Sequence, residues 1–312
     1  MKKFEELEFT DDFMFSRVMF EEPEICRELL EMILQRKISK VSPVETQRSM
    51  EIRSDTKGIR LDVYAEEPKK AVFNLEMQVY REPALPKRTR FYHSTLAVGQ
   101  LGPGSEYRKL RETYVIFICK NGIGDGIELP FYHFEMEMGK QHFRNDGIYS
   151  ELPEICERMR TDGQKSLFVV HRNSLGEMQS IGMKDGVHTI FLNACGDTGL
   201  VSGGLASFLR YVRNSENLPE RREGTASIEE RIQRTVERIR NEKVARSDYM
   251  TLEMRLCDEQ LRARRKTLDA MSELYNALER ANRLNEFPEA LAEEETRETL
   301  LKEFGITLEL DD

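Results

Sequence analysis

The chain has 312 residues, a formal net charge of −9, 39% hydrophobic residues and 33% charged residues. That length admits one large domain or a domain with an appendage, and no apolar run approaches the roughly 18 residues a membrane span requires, so no membrane protein is expected. The five cysteines, Cys26, Cys119, Cys156, Cys195 and Cys257, are scattered and include no Cys-x-x-Cys pair, which points away from a disulfide framework and from a structural zinc site. The start Met-Lys-Lys-Phe-Glu-Glu leads into no apolar signal segment, and a cytoplasmic location is expected.

In chain order, Thr10-Asp-Asp-Phe-Met-Phe reads as the start of a helix, with Thr10, Asp11 or Asp12 able to cap its first amides. A second helix follows Pro23, where Ile25, Leu29, Leu30, Ile33 and Leu34 recur at three- and four-residue steps up to Arg36. Ile38 to Thr46 is expected as a first strand. Two more follow, Gly58 to Ala65 and Ala71 to Tyr80, each alternating with period two. If they pair through the short connection Glu66 to Lys70, then Leu61, Val63, Ala65, Phe73, Leu75, Met77 and Val79 share an apolar face. Arg60, Asp62, Tyr64, Asn74, Glu76 and Gln78 share the polar one.

A helix from about Leu85 to Leu101, ended by Gly102-Pro-Gly, precedes the apolar run Thr113 to Cys119, which reads as a strand buried on both faces. The order helix, three strands, helix, strand predicts an α/β fold with a mixed sheet. Beyond Gly126, strands are expected at Phe131 to Phe134, Leu167 to His171 and His188 to Asn193, with helices near Ile155 to Arg160 and at Leu205 to Val212. Residues 215–227, with Pro219 and Gly224, read as a linker between a domain at 1–214 and a helical region at 228–312.

From Ile228 to Arg283 there is neither proline nor glycine, which predicts one long helix. Along it Met250, Met254, Cys257, Leu261, Leu268, Met271, Tyr275 and Leu278 make a heptad seam, with Arg264 at one core position. The seam reads equally as a coiled coil joining a homodimer or as a stripe packed on its own domain. Pro288 interrupts, and Glu289 to Phe304 is expected as an acidic terminal helix.

The chemistry concentrates on the second and third strands. Asp62 and Glu76 put one carboxylate each on neighbouring strands, a donor set suited to Mg²⁺ or Mn²⁺, which can activate water and stabilise a phosphate under attack. On periodicity alone the plainer reading is the stronger: two exposed acids on the outer face of a hairpin. The net negative charge disfavours a nucleic-acid partner, but Arg81, Lys87, Arg88, Arg90, Arg108, Lys109 and Arg111 crowd the segment after the hairpin and offer a locally basic face. The histidines, His93, His133, His142, His171 and His188, form no close pair at ligand spacing and are expected in structural or surface roles.

Arg60-Leu-Asp-Val-Tyr followed by Asn74-Leu-Glu-Met-Gln resembles the core signature of the PD-(D/E)XK nuclease superfamily, and more narrowly its recombination-promoting nuclease (Rpn) and transposase branch, in which glutamine replaces the usual lysine. Asp12-Phe-Met-Phe15, Arg88-Thr-Arg-Phe-Tyr92, Tyr107 to Leu110, Tyr114 to Ile118, Asp185 to Asn193 with Gly196, the helix through Tyr249-Met250 and Arg297 to Gly305 resemble further segments of that branch. Residues 138–177 have no counterpart in its pattern and read as an insertion.

The resemblance implies a restriction-endonuclease-like αβββαβ core followed by a long C-terminal helix or coiled coil. It implies a metal held by Asp62, Glu76 and the Met77 carbonyl, with Gln78 in the lysine's place and Asp12 as a third acid or only a helix cap. Lys87, Arg88 and Arg90 would meet phosphate. The function implied is a Mg²⁺- or Mn²⁺-dependent DNA endonuclease of recombination or mobile-element biology. The alternatives are a catalytically inactive nuclease fold that binds DNA or a partner, and an RNA-directed toxin or defence nuclease.

Overall fold

The structure is a computed structural model describing residues 2–41, 45–50, 59–124, 129–135, 156–159, 165–168, 170–172, 178–180, 185–216, 218 and 226–306. It divides into two compact units, residues 1–241 and 242–312. Among the described residues no helix is long and apolar enough to cross a membrane.

The first unit opens with α1 (Asp12–Glu21) and α2 (Pro23–Leu34). Pro23, with its preset φ, starts α2, and Gln35 in the left-handed region (φ 51°) ends it. Strands β1 (Glu45–Met50), β2 (Ile59–Glu67) and β3 (Ala71–Gln78) follow. Then come α3 (Leu85–Val98), β4 (Glu112–Cys119) and β5 (Phe131–Glu135). Two ribbons pair β6 (Cys156–Met159) with β7 (Lys165–Phe168) and β8 (Val170–Arg172) with β9 (Met178–Ser180). The unit ends with β10 (Val187–Asn193), α4 (Gly203–Arg213) and α5 (Ile228–Arg240).

The six-stranded sheet runs β1-β2-β3-β4-β10-β5. Its first three strands are antiparallel, β3, β4 and β10 are parallel, and β5 closes the far edge antiparallel. Parallel β3 and β4 cannot be joined by a tight turn, and α3 supplies the crossover. The order α1, β1, β2, β3, α3, β4 is the αβββαβ arrangement of a restriction-endonuclease-like mixed α/β fold.

Strand β3 is buried over Ala71–Met77 and β4 over Thr113–Cys119, so both faces of the sheet centre are covered. On one side Leu85, Tyr92 and Leu96 of α3 pack on Tyr64, Val72, Val115 and Phe117. The hairpin's polar face therefore lies under a helix. Helices α1, α2, α4 and α5 pack together, tied by ion pairs Arg231–Glu28 (2.7 Å) and Arg238–Glu21 (2.7 Å) and by Phe9 against Phe15, Phe208 and Tyr211.

Several expectations differ from the structure: the expected strand Leu167 to His171 is divided between β7 and β8, and the expected terminal helix Glu289 to Phe304 is interrupted at the extended Glu293. The first strand begins at Glu45, because Ile38 is a buried loop residue whose N–H is held by the Glu31 carboxylate (2.8 Å) and not by a neighbouring strand. Cys156–Met159 is a strand where a helix was expected. The long C-terminal helix breaks after Arg240, where Asn241 turns its amide back onto the Glu237 carbonyl (2.8 Å), a competition with helical pairing that short polar side chains favour. Most of the segment read as an insertion, most of the linker, and the side chains of His142 and His171 lie outside the described residues.

The second unit contains α6 (Lys243–Arg280), α7 (Phe287–Ala292) and α8 (Glu294–Glu303). Ala270, Leu274 and Leu278 of α6 are buried against Ala290, Leu300 and Leu301. Upstream, Met250, Met254, Leu261 and Leu268 are exposed. The C-terminal part of the seam thus packs within the unit.

Candidate active site

The β2–β3 ladder runs from Glu67 opposite Ala71 to Val63 opposite Leu75. Continuing that register sets Asp62 opposite Glu76, where β2 goes on along β1 and β3 along β4. Here side chains connect the two strands. The Met77 amide donates to Asp62 Oδ2 (3.2 Å), and the Asp62 amide donates to Glu76 Oε1 (3.2 Å). From α1, Ser16 Oγ donates to the Asp62 carbonyl (3.1 Å), fixing the helix that carries Asp12 against this point.

Glu76 is 1% exposed and collects further donors: Asn74 Nδ2 (3.0 Å) on Oε1, and Arg88 Nη2 (2.9 Å) and Tyr92 OH (3.3 Å) on Oε2. Arg88 also reaches Gln78 Oε1 (3.3 Å) and the Tyr92 hydroxyl (2.7 Å), and its guanidinium lies over the Tyr92 and Phe117 rings at 5.1 and 5.9 Å. Gln78 Nε2 donates to the Tyr80 carbonyl (2.5 Å). Positions 88 and 92 are one helical turn apart, so α3 presents both to the same strand face.

Burial pushes the Asp62 carboxyl well above the usual carboxylate range, and the neighbouring Glu76 and Asp12 carboxylates push it further; the Met77 amide and Arg88 act the other way. Burial also raises Glu76, opposed by Arg88, Asn74, the Asp62 amide and Tyr92. Two acids that resist ionisation together are a place where added positive charge is favoured.

Asp62, Glu76, Gln78, Arg88 and, through its field on Asp62, Asp12 thus gather around the strand fork. Lys87 and Arg90 are exposed, with Arg90 about 200° around α3 from Arg88. Asn74 and Tyr92 join the site as donors to Glu76, a role that their letters do not announce. Asn74 was visible as the residue two before Glu76 on the same strand face; Tyr92 was legible only as a motif letter.

The donor set, two carboxylates and a backbone carbonyl, is all oxygen, and Asn74 Oδ1 is a buried oxygen with no hydrogen-bond donor among the described residues. These fit a hard cation. Among the described residues no three His, Cys, Asp or Glu side chains form a metal-holding group. Mg²⁺ commonly takes only one or two carboxylates and keeps its waters, so two acids are of the right kind.

The histidines, unpaired in the sequence, do pair in space. His133 Nε2 and His188 Nδ1 are 3.2 Å apart on adjacent strands β5 and β10, a proximity made by sheet register across 55 residues.

Comparison with curated proteins and with solved structures returns no match. Residues 9–155 match the family model of the PD-(D/E)XK nuclease family transposases, a span that runs into the segment read as an insertion and stops short of the C-terminal segments that also resembled the branch. It contains α1 to β5 and every residue around the strand fork, and over this span the chain is similar to the PD-(D/E)XK nuclease family transposases.

Proposed function

We propose that the protein is a Mg²⁺- or Mn²⁺-dependent DNA endonuclease acting in recombination or mobile-element biology. The family match supports a nuclease- or transposase-like function. The single observation that carries the finer reading is the meeting of Asp62 and Glu76 at the strand fork inside the matched span. Asp62, Glu76 and the Met77 carbonyl would hold the cation, with Asp12 the nearby third acid. When bound, the ion supplies Lewis-acid activation of water and charge neutralisation at phosphate.

The chain's own groups do the rest. Gln78 carries an amide with no useful pKa, so its part is to orient a water by hydrogen bonding, not to take its proton. Arg88 opposes the effect of burial on Glu76 and presents a planar fork of the kind that binds phosphate oxygens. Lys87 and Arg90, on the exposed side of α3, would contact the nucleic-acid backbone and contribute affinity without sequence selection. The exposed seam positions Met250, Met254, Leu261 and Leu268 support self-association as a homodimer through α6. We place the protein in the cytoplasm.

Plasmid nicking with Mg²⁺ or Mn²⁺ tests the assignment. The parent should nick and Asp62→Ala and Glu76→Ala should not; equal nicking by all three would sink it. Running single-stranded RNA alongside separates DNA from RNA cleavage. One observation favours a second reading, a non-catalytic DNA- or partner-binding module: Arg88 already pairs with Glu76, and Gln78 cannot act as a base. Calorimetry with Mn²⁺ that shows no binding at Asp62 and Glu76 would favour it.

A further inference from the structure

We propose that His133 and His188 form a second cation site, for a borderline transition-metal ion of the Zn²⁺ class, which ties the edge strand β5 to β10. The inference is independent of the reading of Asp62 and Glu76. It begins with register: β5 pairs antiparallel with β10, with His133 opposite Ile190 and Glu135 opposite His188. The two histidines therefore occupy a cross-strand diagonal on one sheet face.

Their nitrogens stand at the separation that shared ligation requires, with the rings turned nearly toward each other, so a small rotation of the side chains would converge them on one ion. His133 Nε2 and His188 Nδ1 are 3.2 Å apart, with ring centroids 5.4 Å apart and planes inclined at 39°. Two imidazole nitrogens on a tetrahedral ion at the usual Zn–N distance stand about 3.3 Å from each other. The same separation also suits a direct ring-to-ring hydrogen bond, so the two readings diverge only on adding metal.

His188 is held for the role. Its ring stacks on Tyr114 at 4.3 Å and 9°, and the Tyr114 hydroxyl donates to Glu112 Oε2 (2.8 Å). The same Glu112 oxygen lies 4.0 Å from His188 Nε2. A carboxylate on that side favours a proton on Nε2, which leaves the Nδ1 lone pair facing His133, the arrangement in which an outer carboxylate orients a metal-binding imidazole. His133 is exposed, and among the described residues β5 is the outermost strand of the sheet, so an ion has access and water can complete the coordination.

Position and donor chemistry separate this site from the acidic one. His188 aligns with Tyr114, and Tyr114 with Phe73, three residues along β3 from Glu76 and two strands across, a distance on the order of 10 Å or more. Imidazole nitrogens select Zn²⁺, Ni²⁺ or Cu²⁺, whereas the oxygen set at the fork selects Mg²⁺ or Mn²⁺. The chain would thus sort its cations, a hard one at the acids and a borderline one stapling the sheet edge.

The test uses the full chain, stripped with EDTA and titrated with ZnCl₂ by calorimetry and in thermal melts. The Asp62→Asn/Glu76→Gln and Cys195→Ser/Cys257→Ser variants control for other ligands and should keep the His133-dependent equivalent of Zn²⁺. His133→Ala, an exposed substitution that should leave folding intact, should lose that equivalent or bind at least tenfold more weakly, and should lose the Zn²⁺-induced rise in melting temperature. With Cu²⁺ as probe, the same variant should lose one nitrogen coupling in the electron paramagnetic resonance spectrum. Unchanged Zn²⁺ stoichiometry, affinity and melting shift in His133→Ala would overturn the proposal and leave a hydrogen bond only.

Discussion

Arg88 on α3 bridges two residues on one face of β3: Nη2 donates to Glu76 Oε2 at 2.9 Å and Nη1 to Gln78 Oε1 at 3.3 Å. A buried carboxylate needs such a partner, since burial alone favours its neutral form. The fork also locks α3 to the strand end where the acids meet. The same contact therefore serves stability and the proposed chemistry.

Removing it should be felt in both. Arg88→Ala leaves Glu76 buried beside Asp62 with its cation gone, and should lower stability by about 1–3 kcal/mol in urea unfolding and abolish nicking. Arg88→Lys keeps the charge but not the planar fork, so it should regain part of the stability without regaining cleavage. Wild-type nicking by Arg88→Lys would show that charge alone suffices.

Asp62 predicts the opposite sign. Its folded-state pKa is raised by burial, by Glu76 and by Asp12, so its favourable contribution is fully present below the unfolded value near 3.8 and is lost as pH rises through the raised one. At neutral pH, without metal, Asp62→Asn should stabilise the protein by on the order of 1–3 kcal/mol while eliminating nicking. The stability gap should close below pH 4. Urea titrations at pH 7.5 and 3.5 check this, and a variant less stable than the parent at pH 7.5 would contradict it.

Strands β2, β3 and β4 were legible in the sequence because alternation and β-branched runs are local signals, and Asp62 and Glu76 stood out as acids within them. Burial of the polar face was not legible, since Leu85, Tyr92 and Leu96 reach it only after the crossover has folded. The grip of Arg88 on Glu76 depends on that same packing, and the His133–His188 pair on the register of β5 against β10. Ile38 misled because a buried loop residue looks like a strand residue, and Asn241 stops a helix without glycine or proline.

Gln78 stands where the signature this hairpin resembles has a lysine, yet restoring one should not restore a base. The ammonium of Gln78→Lys would replace the oxygen that accepts from Arg88 and repel the guanidinium, loosening it from Glu76. Nicking should stay level or fall. A gain of the ~10²-fold size expected for a new general base would overturn this account of the site.

His93 is 8% exposed, bridges Thr113 and Thr189 through its two ring nitrogens at 3.0 Å each, and has a pKa pushed down to about 4 by burial and by His188, with Asp185 opposing. The unfolded chain accepts this proton near 6.5 and the folded one resists it, so the stability is complete above 6.5 and is lost as pH falls toward 4. The loss attributable to this ring should reach about 3 kcal/mol at pH 4. In His93→Gln, which keeps a donor and an acceptor, that share of the acid dependence should vanish from urea titrations at pH 7 and 4.5.

The seam on α6 divides by burial, and substitutions along it should divide the same way. Leu278 is fully buried against α7 and α8, so Leu278→Ala should cost about 2–5 kcal/mol and broaden or lower the melt of the second unit. Leu261 and Leu268 are 57% and 70% exposed, so Leu261→Asp with Leu268→Asp leaves that core untouched. If those positions meet a second copy, the double variant should sediment as a monomer where the parent sediments as a dimer, with the melt of a dilute sample unchanged. A parent that is monomeric at every concentration assigns the exposed stretch to solvent, because two leucines buried across a dimer would otherwise each contribute about 1.5–3 kcal/mol to association.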